Sequence, residues 1–403
     1  MEVYLVGGAV RDRLLNIPIK ERDWSVVGAT PEEMEAKGFR RLDREFPVFM
    51  HPETGDEYAL ARRETKVSPG HRGFCIDAGS DVTLEEDLKR RDLTINAMAE
   101  AQDGTLIDPF NGRADLEAGI LRRVSPAFVE DPLRVLRVAR FAARFARWGF
   151  RISHGTHALM KRMVESGELA ALSVERVWQE TERALSEHRP IRYFEVLHRC
   201  AALAHIIPEL AQVLGSAPSH RLPAKRAVPS ALAVLEAATK LSYDPVVRYA
   251  ALLQGLAATA ADRGEPPRCV IETVGIRLSV PKVYQELALL VWDQYAVFAE
   301  AERGSAASIL AGLESLDAVR RRARFQRYLT VCQAVAVTNG RNPSFALQRI
   351  QAAHQAMGDV DAGALAERGL HGAALGAELR RLRHDAIATA VGSFATNATS
   401  VRE

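Results

Sequence analysis

The pattern of apolar and polar positions changes near residue 150. Before it, apolar runs are short and strand-like. Glu2 to Val6 reads as a strand, Ala9 to Leu15 as a short helix ended by Asn16 and Pro18, and Trp24 to Val27 as a strand continuing from the acids Glu21 and Asp23. Thr30-Pro31-Glu32-Glu33 offers an N-cap, a proline at the first helical position and acids in the first turn. Phe46 to His51 and Glu57 to Arg62 read as a strand pair around the turn Pro52-Glu53-Thr54-Gly55. Residues 63–80 contain Pro69, Gly70, Gly73 and Gly79 and lack periodicity. They read as a long loop, either a functional lid or a plain insertion. Beyond Phe150 the period becomes helical, with helices expected over Thr156 to Glu165, Val174 to Leu185, Ile191 to Cys200, Ser230–Leu241, Asp244–Ala258, Val280–Ala299 and Ala346–Met357. The tail from Gly392 is small and polar and is expected to fray.

This pattern predicts an α/β head with a small mixed sheet, followed by an all-α neck, body and tail. The expected divisions are 1–140, 141–210 and 211–403, with a proline-containing basic linker at His220–Pro229. At 403 residues the chain has room for two or three domains. Its 47% hydrophobic and 26% charged residues are those of a globular protein. Net charge is only +2, so a nucleic-acid surface has to come from local arginine clusters. Arginine far outnumbers lysine, which suits bidentate phosphate contacts but also follows from a high-GC codon bias. Cys75, Cys200, Cys269 and Cys332 lie far apart and signal neither a zinc site nor a disulfide framework. No apolar run is long enough to span a bilayer and no signal-peptide pattern opens the chain, so a reducing, cytoplasmic location is expected.

The densest chemistry lies in the head. A strand runs into Gly7-Gly8, and the next opens with Glu21 and Asp23. Residues i and i+2 of a strand share a face, which would put the two carboxylates side by side. Paired carboxylates suit Mg²⁺, and glycines without Cβ let phosphate oxygens approach the backbone. Glu57 is either a third carboxylate or an exposed strand-end acid. Arg90-Arg91-Asp92 with Asn96 four residues on would suit a phosphate and a ribose, or simply start a charged helix. Glu130-Asp131-Pro132-Leu133-Arg134 opens a helix expected to reach about Trp148, with Arg134, Arg137, Arg140, Arg144 and Arg147 on one side. That stripe is either a solvated face or part of a site. Asp131 and Arg134 are either a helix ion pair or an edge that hydrogen-bonds a nucleobase.

Four motifs in order then carry a resemblance. Gly7-Gly8-Ala9-Val10-Arg11-Asp12 with Glu21-Arg22-Asp23-Trp24, Arg90-Arg91-Asp92-Leu93-Thr94-Ile95-Asn96-Ala97, Glu130-Asp131-Pro132-Leu133-Arg134 and Glu175-Arg176-Val177-Trp178-Gln179-Glu180 resemble the class II bacterial CCA-adding enzymes (tRNA nucleotidyltransferases) of the polymerase-β-like superfamily. The resemblance is dense over roughly the first 210 residues and implies a polymerase-β-like nucleotidyltransferase head. It implies Mg²⁺ at Glu21 and Asp23, and ATP or CTP held by Gly8, Arg11, Arg91, Arg137 and Arg140. Asp92 and Asn96 would read the ribose, and Asp131 and Arg134 would select C and A. It implies a tRNA 3′-hydroxyl attacking the α-phosphate, one Mg²⁺ lowering the hydroxyl pKa and a second neutralising the departing pyrophosphate. One departure is Glu21, where most relatives carry Asp. Glu175 to Glu180 would brace the neck against the head.

Many relatives also carry an HD-type phosphohydrolase domain in the body. Here Gln254-Gly255 stands where His-Asp would be, and the only His-Asp dipeptide is His384-Asp385, so that activity is expected to be absent. The partners implied are ATP, CTP and the acceptor and T arms of tRNA. The basic patch of Arg320, Arg321, Arg322, Arg324 and Arg327 is the first candidate for tRNA phosphates. Arg380, Arg381 and Arg383 form a second patch, read in preference as a solvated helix face. The competing readings are a poly(A) polymerase, an enzyme adding only CC or only A, and a catalytically inactive RNA-binding module.

Overall fold

The computed structural model describes residues 1–19, 21–43, 46–66, 74–215 and 231–399. The chain divides into two compact units, Met1–Pro208 and Glu209–Glu403. The linker expected at His220–Pro229 lies outside the described residues.

The first unit is built on a seven-stranded mixed sheet. In chain order its strands are β1 (Glu2–Val6), β2 (Asp23–Val27), β3 (Arg40–Arg41), β4 (Val48–Met50) and β5 (Glu57–Leu60). After a separate hairpin of β6 (Arg63–Lys66) and β7 (Phe74–Asp77), β8 (Ala99–Glu100) and β9 (Leu106–Ile107) complete it. The spatial order is β3-β4-β5-β2-β1-β8-β9, with β2 and β5 parallel and the other neighbours antiparallel. The head is thus the α/β element the apolar pattern predicts.

Helices α1 (Gly8–Leu14), α2 (Pro31–Ala36), α3 (Leu84–Lys89) and α4 (Gly112–Glu117) surround the sheet. Thr30 and Thr83 open α2 and α3 with reciprocal capping boxes to Glu33 and Glu86. Val26, Ala29, Met34, Phe49 and Leu60 form one core cluster, and Val6, Leu88, Ala97 and Ala99 another. The unit continues through α5 (Leu133–Arg144), α6 (His154–Glu165), α7 (Val174–Leu185), α8 (Ile191–Arg199) and α9 (Leu203–Ile206), with α5 packed on α7 and α8.

Three expectations are corrected here. Residues 63–80 are not one loop: β6 and β7 pair antiparallel, Arg63 opposite Asp77, and residues 67–73 lie outside the described residues. Glu64 sits within that hairpin, in a stretch whose glycines and proline mask the strand pair. Helix α5 ends at Arg144 and passes through a 3₁₀ turn, Ala146–Trp148, to Gly149 at φ 76°. The chain turns there because only a left-handed residue closes the segment. Strand β2 begins at Asp23, so Glu21 lies outside it and strand alternation does not place that side chain.

The second unit is all helical. Its elements are α10 (Pro208–Gly215), which begins at the boundary, α11 (Ala231–Leu241), α12 (Pro245–Asp262), α13 (Pro267–Arg277), α14 (Lys282–Glu300), α15 (Ala306–Ser315), α16 (Arg322–Thr338), α17 (Ser344–Gly358), α18 (Ala362–Glu367) and α19 (Gly372–Thr399). The last helix extends past Gly392 to Thr399. No described helix is long and apolar enough to cross a membrane.

At Gly255 a Cβ would lie 2.5 Å from Cα of Ala231, so glycine is what lets α12 and α11 meet this closely. Gln254 is buried and donates its amide to the Ala288 carbonyl at 2.8 Å. These residues do not fit the HD-type metal pair. The first has its amide spent on backbone, and a carboxylate at the second would collide with a neighbouring main chain. His384 and Asp385 are exposed on α19, 3.2 Å apart.

Candidate active site

A cleft of about 690 Å³ opens in the first unit, a size suited to a nucleotide. Its wall contains Gly7, Gly8, Arg11, Glu21, Asp23, Arg91, Asp92, Asn96, Asp131, Arg134, Arg137 and Arg140. The structure therefore brings together every head residue expected there except Glu57.

The backbone explains the convergence. Val6 pairs with Asp23, so the start of β2 lies beside the end of β1, where the chain runs into Gly7. Gly7 has φ 69°, and a Cβ there would sit 2.6 Å from Arg91 Nη1. Glycine thus permits both the turn and the close approach of Arg91. Gly7 N–H donates to the Met98 carbonyl (3.1 Å), and Gly8 opens α1.

Asp23 has its pKa pushed up by burial, with Arg91 opposing and the Glu21 carboxylate reinforcing the rise. Glu21 thus acts on Asp23 although it lies outside the strand. A buried carboxylate whose proton affinity is raised by burial and by a second carboxylate beside it is a donor that a divalent cation relieves. Glu57 pairs with Asp23 across β2 and β5, but it is exposed and does not line the cleft. Among the described residues no three acids or histidines are grouped as a metal site, so Glu57 does not join the pair. A further acid on the wall is Glu64, which accepts from Arg62 and Arg90, each at 2.8 Å.

Arg134, Arg137, Arg140 and Arg144 of α5 line this cleft and each guanidinium is held, whereas Arg147, the fifth of the expected stripe, lies beyond the helix end, exposed over the Trp148 ring and outside the cleft. Arg137 donates to Asp92 at 2.8 Å. Arg140 donates to Glu180 at 2.7 Å and stacks 4.5 Å from the Phe141 ring centroid. Arg144 donates to Asp12 at 2.8 Å. The other oxygen of Asp12 accepts from Arg11 Nε at 2.8 Å, so one buried carboxylate fixes two cleft arginines. Arg11 also donates to Asn96. Burial lowers the Arg11 pKa and the adjacent Asp12 opposes that fall.

Asp92 accepts from Leu93 N–H (2.8 Å), Asn96 (2.9 Å) and Arg137. Burial alone would raise its pKa, but Arg137 and Asn96 outweigh it and hold the carboxyl well below the usual range. It is a permanent anion that braces Asn96 and Arg137 as well as lining the wall.

Asp131 and Arg134 do not pair with each other, which corrects the helix-ion-pair alternative. Arg134 is 8% exposed and donates to the carbonyls of Ala127 (2.7 Å) and Arg90 (2.6 Å). Asp131 accepts from Leu133 N–H and Arg176, each at 3.0 Å. Both side chains are fixed as separate groups on one wall. Arg176 and Arg144 are cleft residues that sequence reasoning missed as such. Arg176 stood in a motif read as bracing and Arg144 in a stripe with a solvated-face alternative. Glu180, four residues beyond Arg176, does brace: it anchors Arg140.

Residues 3–122 match the family described as poly A polymerase head domain, and residues 149–214 the one described as probable RNA and SrmB-binding site of polymerase A. The chain is 49% identical to a multifunctional CCA protein of Thioalkalivibrio sulfidiphilus, over 96% of this chain and 98% of the relative. It is 48% identical to a CCA-adding enzyme of Pseudomonas putida over the same shares. Its fold is similar to that of the Bacillus stearothermophilus CCA-adding enzyme in complex with CTP, with a TM-score of 0.66, 23% identity and coverage of 99% and 94%. It is also similar to that of the Thermotoga maritima CCA-adding enzyme complexed with tRNA, with a TM-score of 0.63, 22% identity and coverage of 98% and 91%. Near-half identity along almost the whole of both chains places this chain in the CCA-adding enzyme family.

Proposed function

We propose that this chain adds CCA to the 3′ end of tRNA without a nucleic-acid template, consuming CTP and ATP and releasing pyrophosphate. The observation carrying this reading is one cleft that joins an acid pair, a wall of arginines and a separate Asp131–Arg134 wall.

In this reading Arg11, Arg91, Arg137 and Arg140 bind the triphosphate beside Gly8, and their buried partners keep them oriented before the nucleotide arrives. Asn96, held by Asp92, meets the ribose. Asp131 accepts from and Arg134 donates to the base edge, so a wrong base leaves buried polar groups unpaired. The 3′-hydroxyl oxygen bonds to the α-phosphorus, the bond to pyrophosphate breaks and the hydroxyl proton leaves to solvent. Glu21 and Asp23 are the residues that would hold Mg²⁺, which when bound supplies positive charge for the hydroxyl and the pyrophosphate.

Residues 1–140 carry the transfer chemistry, 141–210 complete the base-reading wall, and 211–403 hold the tRNA acceptor and T arms, in the cytoplasm. In the last part Arg320, Arg321, Arg322, Arg324 and Arg327 meet RNA phosphates. The body has no HD-type phosphohydrolase activity, a reading supported by the packed Gln254-Gly255.

The test supplies Mg²⁺, tRNA lacking CCA, and CTP alone, ATP alone or both. The expected outcome is two additions with CTP, with a single terminal A added only after them. A long A tail from ATP alone would instead identify a poly(A) polymerase, and tRNA binding without extension an inactive module.

A further inference from the structure

The helical unit has a second cavity, of about 680 Å³, that nucleotidyl transfer does not use. The N-terminal turns of three long helices build it. Val246 lies in the first turn of α12, Val283 in that of α14, and Arg322 opens α16. These helices have 18, 19 and 17 residues, so each brings the positive end of a macrodipole to the same space. Asp244 caps α12, whereas α14 and α16 have no side-chain cap, which leaves their first amides for another acceptor.

The rim is arginine. Arg320 and Arg321 are exposed and lie only loosely against Asp317, at 3.9 and 3.4 Å. Among the described residues Arg322 has no ion-pair partner, and the buried Nε of Arg324 has no hydrogen-bond partner. Arg327 is fixed by Asp244 at 2.7 Å. The floor is different: Val246, Val283, Leu287 and Val319 are aliphatic. The acid on the wall, Glu286, is 3.5 Å from Lys282. Tyr243, directly before the α12 cap, is 65% exposed, and its ring rests 4.7 Å from the guanidinium of fully buried Arg248.

A strip that merely tracked a phosphate backbone would need charge alone. A charged rim over an apolar floor fits a phosphate that carries a ribose and a base. We propose that this cavity seats one unpaired nucleotide of the RNA substrate. Its phosphate lies among Arg321, Arg322 and the helix ends, and its ribose and base lie on the aliphatic floor of Val246, Val283, Leu287 and Val319. RNA proteins commonly hold single nucleotides turned out of the helix in this way. The inference rests on tRNA being the substrate and names where the helical unit grips it.

The test measures equilibrium binding of tRNA lacking CCA to the full-length protein across a salt series. It compares wild type, Val283→Asp and Arg322→Ala, with circular dichroism on each. Val283 is 44% exposed, so an aspartate there reaches water and the helix can fold. The expected result is at least a tenfold loss of affinity for Val283→Asp. Arg322→Ala should lose about fivefold and flatten the log–log salt slope by about one. The KM for CTP should stay constant in both. Wild-type tRNA affinity in both folded variants would overturn the proposal. So would 5′-AMP binding that Val283→Asp abolishes while tRNA affinity is kept, since the cavity would then serve a small molecule. Failure of the enzymatic reading shows separately, as tRNA bound through Val283 and Arg322 but never extended.

Discussion

The arginines of the head cleft and those of the helical unit have opposite surroundings. In the cleft five guanidiniums have a buried carboxylate or a carbonyl close against them: Arg11 and Arg144 share Asp12, Arg137 has Asp92, Arg140 has Glu180 and Arg134 has two backbone oxygens. Around residues 320–327 the pairs are loose or half-exposed and Arg322 has none. Fixed guanidiniums suit a small ligand whose geometry has to be correct before reaction. Loose ones suit a long polyanion, where affinity comes from released counterions and tolerates imprecise geometry. One residue type thus serves two tasks through the carboxylates that do or do not restrain it.

Breaking the restraint in the cleft should have the largest effect. Asp12→Asn leaves Arg11 and Arg144 without their shared anion. A loss of about 3 kcal/mol in stability is expected from denaturant titration, with KM for CTP and ATP rising more than kcat falls. Equal losses in KM and kcat would show that Asp12 does not act through nucleotide binding.

Acid titration sharpens the same contrast. The Asp87 carboxyl is buried, which alone would raise its pKa, but Arg90, Arg91 and Arg62 hold it at about 2. Its folded pKa is depressed, so its contribution is complete above the unfolded value near 4 and is lost as pH falls through about 2. That contribution is on the order of 2 kcal/mol. The stability of Asp87→Asn should therefore depend less on pH between about 4 and 2 than that of wild type.

Gly255→Ala probes the body independently of charge. The added methyl meets the main chain of Ala231, and the expected cost is about 1–3 kcal/mol, read as a lower melting temperature. The smallest effect belongs to Asp244→Asn. It keeps the α12 cap but breaks a half-exposed pair with Arg327, and should cost at most about 1 kcal/mol.

Much of this was legible in the chain. The glycine pair, Asp23 and the spacing of arginines on α5 all lead to the cleft, because motif order reflects backbone geometry that the sheet reproduces. What escaped were partnerships between distant residues. Nothing local to Arg176 announces Asp131, and nothing in Asp12 announces Arg144, 132 positions away. Glu64 was hidden in a stretch whose glycines and proline masked a hairpin. Strand periodicity was also trusted one step too far at Glu21, which reaches the site from outside β2.

The most direct test of the central claim is primer extension on tRNA lacking CCA by Asp23→Ala beside wild type, with tRNA affinity measured in parallel. The account predicts addition by wild type, extension reduced by at least about a thousandfold in the variant, and equal tRNA affinity. Extension by the variant at the wild-type rate would contradict the assignment of this cleft as the transfer centre.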